Sequence, residues 1–261
     1  MLPKRITFIR HGESELNAHL DAEKAGLVTD AAAGLALRSR PDHAYRLTEK
    51  GIAQATDAGK KFHAHRAGVP FPLVYVSPYK RTIETARNVL TPFGESTNVL
   101  LEPRIAERSW GQFGSLPRSE AQKVYAETAE QRKADPIWGP MPGGERMFET
   151  CLRVQSFIQS LDHLTELGID DVLMVAHGDV MAALRIVMEG FDPGSPLIHK
   201  TDRRQKIGNC DVLEYITEAG AVMPTLGRLV HLGEDFEDVS YNRLDQNVIS
   251  RLSTLDALLE Q

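Results

Sequence analysis

The 261-residue chain is 42% hydrophobic and 25% charged, which fits an ordinary globular chain able to bury one substantial core and excludes a disordered or fibrous one. A formal net charge of −6 argues against nucleic acid as a general partner, while leaving room for a local basic pocket. Two cysteines make no disulfide framework, no apolar run approaches the roughly 20 residues of a membrane span, and Met1 leads so directly into an apolar run that no signal peptide fits, so a cytoplasmic chain is expected.

Ile6-Thr7-Phe8-Ile9 reads as a buried strand closed by Arg10-His11-Gly12-Glu13-Ser14. Open α/β sheets bind ligands outside the C-terminal ends of their strands. Arg10 offers a planar fork to phosphate or carboxylate oxygens, and His11 can be neutral and nucleophilic near pH 7. Gly12 is expected to let the backbone approach a ligand with no Cβ in the way. The plain alternative is a surface arginine and a solvated histidine at a strand end. The stretch from Ala18 to Arg46, with Arg38, Arg40, His43 and Arg46, is longer than a simple connection and reads as an insertion. Residues 48–66 then carry Ile52, Ala55, Ala58, Gly59 and Phe62 at helical spacing. His63 and His65 fall on different faces of that helix, which argues against a shared metal site.

A second strand, Leu73-Val74-Tyr75-Val76, runs into Ser77-Pro78. Ser77 is expected to cap a helix over 78–90, with Arg81 in its first turn and Ile83, Ala86 and Leu90 on one face. A short strand at Asn98–Leu101 leads to an irregular stretch from Arg104 to Gly114. There Glu107, near Trp110 and Phe113, is expected to be desolvated and to carry the raised pKa of a general acid. Its alternative is an exposed carboxylate paired with Arg104 or Arg108. A second insertion, Ser115 to Pro142, carries Arg118, Lys123, Arg132, Lys133 and Trp138, with a polar helix over 118–133 expected to serve as a cap. Glu145 to Leu167 reads as one long helix. A third strand, Val172–Ala176, ends in His177-Gly178-Asp179 and is followed by a helix over Val180–Met188. Residues 211–217 and 225–232 suggest an edge hairpin, and Leu244–Leu259 an amphipathic helix. This alternation predicts an α/β fold of three layers, a mostly parallel central sheet flanked by helices, in one domain over 1–261 with cap insertions at about 18–46 and 115–142.

Arg10-His11-Gly12, Arg81, Glu107 and His177-Gly178, in that order, resemble the histidine phosphatase superfamily, of phosphoglycerate mutase-like fold, over most of residues 4–216. The resemblance implies that His11 is the phosphorylated histidine, Glu107 the proton donor and His177 the second histidine. It implies that Arg10, Ser14, Asn17, Arg81, His177 and Gly178 bind the substrate's phosphate. Leu47-Thr48-Glu49-Lys50-Gly51 matches the family's next helix start, and Gly143-Gly144-Glu145 the turn before the helix leading to His177. The two insertions are expected to roof the pocket. Arg40-Pro41-Asp42-His43 and Asn209-Cys210-Asp211 resemble the broadly phosphatase-like members.

The implied activity is therefore a phosphatase for a small phosphorylated substrate, working through phosphohistidine with no metal and no cofactor. No nucleic-acid or membrane partner is expected, and a homodimer is left open. Two alternatives stand beside it. For a phosphoglycerate mutase, Glu107-Arg108 and Gly111 resemble the mutase loop, but Ser109-Trp110 replaces its His-Tyr pair and its later Arg-Arg clamp finds no match. A non-catalytic binding protein on the same fold would be marked by loss of His11, Arg81, Glu107 or His177, and none is lost.

Overall fold

The computed structural model describes residues 1–27, 31–94, 97–190 and 206–244. In chain order the first half runs β1 (Arg5–Arg10), α1 (Glu15–Lys24), α2 (Ala31–Arg38), α3 (Glu49–His65), β2 (Leu73–Val76), α4 (Lys80–Leu90) and β3 (Asn98–Leu101). The second half runs α5 (Gly111–Ser115), α6 (Arg118–Val124), α7 (Ala126–Ala134), α8 (Met147–Gln159), β4 (Asp171–Ala176), α9 (Gly178–Glu189), β5 (Val212–Ile216), β6 (Leu226–Val230) and β7 (Asn242–Arg243). The strands form one sheet in the order β3-β2-β4-β1-β5-β6-β7. Its first four strands are parallel, and β5, β6 and β7 continue it antiparallel.

Strand alternation divides the core between the two faces of this sheet. Ile6, Phe8, Val172, Met174 and Ala176 pack with Val154 and Phe157 of α8 and Met181 and Leu184 of α9. Ile9, Val74, Val76, Leu173 and Val175 pack on the other face with Ala55, Ala58 and Phe62 of α3 and Ala86 and Val89 of α4. The expected three-layer α/β architecture is thus the observed one. Strand β4 lies between β1 and β2, so the C-terminal ends of these three strands converge at the middle of the sheet.

Several elements depart from the sequence-based expectation. The helix expected over Glu145–Leu167 spans only Met147–Gln159. Beyond it Leu161 and Leu164 bond back to Ile158 and Leu161 at 3.0 Å, tight three-residue turns that match the spacing of these apolar residues and keep both buried. Helix α4 begins at Lys80 with Tyr79 as N-cap, so Ser77 is not the cap, and Ile83 and Ile52 point to solvent. The buried face of α4 is instead Arg81, Thr82, Thr85, Ala86, Val89 and Leu90, because its polar start faces inward. The polar stretch 118–133 is two helices, α6 and α7, broken at Tyr125. The hairpin of β5 and β6 exists, but β5 pairs with β1 and the short β7 takes the edge. The expected helix over Leu244–Leu259 lies outside the described residues apart from Leu244.

The first insertion closes on its own start: Glu15 N–H donates to Arg46 O at 3.0 Å and Thr48 N–H to Glu13 O at 2.9 Å. Arg38 pairs with Glu23 within it, Arg40 reaches back to both oxygens of Glu15 just before it, and Arg46 lies 3.3 Å from Glu84 of α4. His63 packs on Phe93 and His65 on Phe236, so the two histidines do part company. Burial pushes the Cys151 thiol up to about 11 and that of Cys210 up to about 12, as expected of packed and unreactive thiols. Among the described residues, no helix is long and apolar enough to cross a membrane.

Candidate active site

The ends of β1, β2 and β4 deliver Arg10 and His11, Ser77, and His177 to one place. His11 and His177 are buried, with ring centroids 5.1 Å apart and edge to face. His11 Nδ1 lies 2.7 Å from Gly12 O. A carbonyl only accepts, so this bond assigns the ring proton to Nδ1 and leaves the Nε2 lone pair available. Burial, then the charges of Arg81 and Arg10, hold the His11 pKa well below its ordinary range, so the ring is neutral. Burial and Arg81 do the same to His177.

Gly12 has a different task from the one expected. A Cβ there would run into the backbone carbonyl of Gly51, so Gly12 lets the strand end lie against the first turn of α3. Its N–H donates to Thr85 Oγ1 at 3.1 Å. Ser14 and Asn17 form a reciprocal capping box at the start of α1. Asn209 joins this cap to the site, donating to His11 O at 3.0 Å and to Asn17 Oδ1 at 3.2 Å.

Arg10 donates from one terminal nitrogen to Ile207 O at 2.8 Å, and its guanidinium lies against Gly178 at the start of α9. Arg10 Nε and His177 Nδ1 are both buried without a hydrogen-bond partner among the described residues. A buried unpaired polar group costs about 1–3 kcal/mol, so two of them in one site mark it as built for a ligand. Arg81, in the first turn of α4, presents its fork to Asp42, donating to the backbone oxygen at 2.7 Å and to the two carboxylate oxygens at 3.1 and 3.3 Å. The first insertion therefore lays an acceptor on the arginine that a phosphate would use.

Glu107 reaches the same site from its loop, with Oε2 3.9 Å from His177 Nδ1. Its Oε1 accepts from the Arg108 N–H at 3.0 Å. Burial and then the nearby charge of Asp179 push its carboxyl up to about 7. The alternative of an exposed ion pair fails: Arg104 binds Glu102, and the Arg108 guanidinium binds Asp179. Trp110 and Phe113 serve other partners. Trp110 lies under the guanidiniums of Arg108 and Arg132 at 4.5 and 5.0 Å, and Phe113 under Arg132 at 4.9 Å. Gly111, at φ +49°, packs its backbone against the Pro142–Gly144 turn, and Glu145 N–H donates to Ser109 O at 2.9 Å. This turn holds the Glu107 loop in place.

Five participants were not assigned from sequence. Ser77 Oγ lies 2.7 Å from His177 Nε2 and orients that ring, while Asp42, Thr85, Asp179 and Asn209 brace the site. Asp179 directly follows His177-Gly178, which was the available signal for it. One ligand atom from each of His11, Glu107 and His177 lies within 4.8 Å of the others, close enough in distance to span a cation. With Arg10 and Arg81 beside them the local charge favours an anion instead.

Residues 6–212 match the family model of the histidine phosphatase superfamily, branch 1. The chain belongs to the histidine phosphatase superfamily. Within this superfamily it is 34% identical over 168 residues to the phosphoglycerate mutase-like protein AT74 of Arabidopsis thaliana, covering 62% of this chain and 47% of that protein. It therefore spans about half the length of that relative. It is 29% identical over 192 residues to the 2,3-bisphosphoglycerate-dependent phosphoglycerate mutase of Bartonella tribocorum, covering 72% of this chain and 83% of that one. Among solved structures it is similar to the alpha-ribazole phosphatase of Shigella flexneri, with a TM-score of 0.62 and 22% identity over 88% of this chain and 96% of that one. It also resembles the mycobacterial glucosyl-3-phosphoglycerate phosphatase, with a TM-score of 0.63 and 18% identity over 89% of this chain and 98% of that one. At these identities the solved structures speak for the fold.

Proposed function

We propose that this chain is a metal-independent phosphomonoester hydrolase that passes the phosphoryl group through Nε2 of His11. The observation that carries the reading is the bond from His11 Nδ1 to Gly12 O, which leaves Nε2 as a neutral nucleophile between two arginines. Phosphoryl transfer depends on positioning and on neutralising charge over the phosphate oxygens. Arg10 Nε and His177 Nδ1, without a hydrogen-bond partner among the described residues, and Arg81, once it exchanges Asp42 for phosphate, supply those contacts. Nε2 attacks phosphorus and forms a P–N bond as the P–O bond to the leaving alcohol breaks. Glu107, with its carboxyl near 7, gives its proton to that oxygen. The carboxylate so formed then takes a proton from the water that attacks phosphohistidine, releasing inorganic phosphate and restoring His11. Ser14, Asn17 and Gly178 support this work from the α1 cap and the start of α9.

The test is phosphate release from a panel of sugar phosphates, phosphoglycerates, nucleotides and phosphoamino acids, run with a chelator and with His11→Ala as the blank. Release without added metal that vanishes in His11→Ala is expected. Activity lost to the chelator and returned by magnesium would overturn the metal-free reading.

A second reading, transfer between two hydroxyls of one substrate, is favoured by the relatives named as mutases. Supplying 3-phosphoglycerate with 2,3-bisphosphoglycerate separates the two: a hydrolase yields phosphate, whereas a mutase yields the 2-phosphate isomer faster than phosphate.

A further inference from the structure

Arg108 sits between two carboxyl groups. Its backbone N–H donates to Glu107 Oε1 at 3.0 Å, and its Nε donates to Asp179 Oδ2 at 2.9 Å. The Arg108 and Asp179 side chains are only 5% and 11% exposed, so this ion pair is largely withdrawn from water. Buried pairs seldom add net stability over well-packed apolar residues. The reaction steps above leave both residues without a task, so the pair calls for another explanation.

Placement supplies one. Asp179 lies in the first turn of α9, two residues after His177, whereas Arg108 belongs to the irregular loop that carries Glu107. The bond between them ties a loop to a rigid helix at the point where the loop must aim a carboxyl into the pocket. We propose that Asp179, acting through Arg108, is a positioning residue for Glu107. The proposal rests on the reading of Glu107 as proton donor.

Electrostatics points the same way. Glu107 faces Arg10 from β1, Tyr79 and Arg81 from the start of α4, and His177 and Asp179 from the end of β4 and α9. Arg10 and Arg81 favour its ionised form, and Asp179 opposes it. Asp179 in turn faces Arg10, Arg108 and Arg132. The isosteric change Asp179→Asn removes a negative charge and leaves Arg108 uncompensated, and both effects make Glu107 easier to ionise. Arg108→Gln removes the cation paired with Asp179, leaving that carboxylate less fully compensated by Arg10 and Arg132, and makes Glu107 harder to ionise. The two substitutions thus push in opposite directions, which damage to packing would not do.

The experiment is a titration of the Glu107 carboxyl by carbon-13 NMR on the full chain, the signal being assigned by its loss in Glu107→Gln. The same variants are followed for single-turnover phosphorylation by an alkyl phosphate across pH. The expected midpoint falls by about one unit in Asp179→Asn, rises by a similar amount in Arg108→Gln and returns towards wild type in the double variant. The alkaline limb of phosphorylation moves with it. Midpoints unmoved, or moved in the same direction in both single variants, overturn the proposal. If one variant fails to fold, the direction of shift in the other decides. Midpoints that move as expected in the variants, when even the wild-type chain takes no phosphoryl group from the alkyl phosphate, would sustain the positioning role and reject the hydrolase reading.

Discussion

At Glu107 the carboxyl held up to about 7 sets a pH dependence for stability as well as for activity. A carboxyl raised in the folded state binds its proton more tightly there than in the unfolded chain. Its stabilising contribution is complete below the unfolded value of about 4.3 and is lost as pH rises through about 7. Glu107→Gln should therefore be more stable than wild type at pH 8, by up to about 4 kcal/mol, with the advantage shrinking towards pH 4. Urea unfolding at the two pH values measures this, and an equal difference at both would mean that the group is not destabilised by burial. The same substitution should slow His11 phosphorylation by an alkyl phosphate by about 10² to 10⁴ but act far less on p-nitrophenyl phosphate, whose leaving group needs no proton. An equal loss on both in single-turnover measurements would place the proton donor elsewhere. Because His11 titrates well below its ordinary range, wild-type phosphorylation by an alkyl phosphate should stay high below neutrality and fall only as pH rises through about 7.

Between elements, the tightest constraint on the site is the meeting of the β1 end with α3. Gly12→Ala sets a Cβ against the Gly51 carbonyl, so the β1 end and α3 must part, which disturbs the Gly12 bond to Thr85 of α4. A loss of about 1–3 kcal/mol is expected from such overpacking, together with reduced phosphorylation. An unchanged melting temperature would show that the two backbones can part freely. The first insertion acts on the site through Asp42, whose carboxylate occupies the Arg81 fork. Asp42→Asn should tighten binding of inorganic phosphate, by about tenfold for roughly 1.4 kcal/mol of competition removed, as read by calorimetry. Weaker binding would mean that Asp42 orients Arg81 rather than competing for it. Neither contact was legible beforehand, because each joins residues 39 positions apart that only the tertiary fold brings together. The same limit applied to Ser77: Ser-Pro after a strand reads locally as a helix cap, but the hydroxyl is drawn to His177, 100 residues away. The long helix after Glu145 was over-extended because Leu161 and Leu164 satisfy a three-residue turn as readily as a 3.6-residue one.

For the whole molecule, the parts that were legible are those that repeat. Each central strand announced itself as a short apolar run, and two of them ended in His-Gly, so the parallel core and the ends of β1 and β4 followed from pattern alone. The place of β4 between β1 and β2, which brings His177 beside His11, comes from sheet order and has no local signature. The same holds for the desolvation of Glu107, which depends on what folds over it and not on its sequence neighbours. All of this geometry converges on one nitrogen, His11 Nε2. The most direct test is rapid quenching of the wild-type chain with phosphorus-32-labelled substrate, followed by mapping of the labelled residue. The account predicts an acid-labile, base-stable phosphoenzyme on His11 that is absent from His11→Ala; label on a serine or on His177 would contradict it.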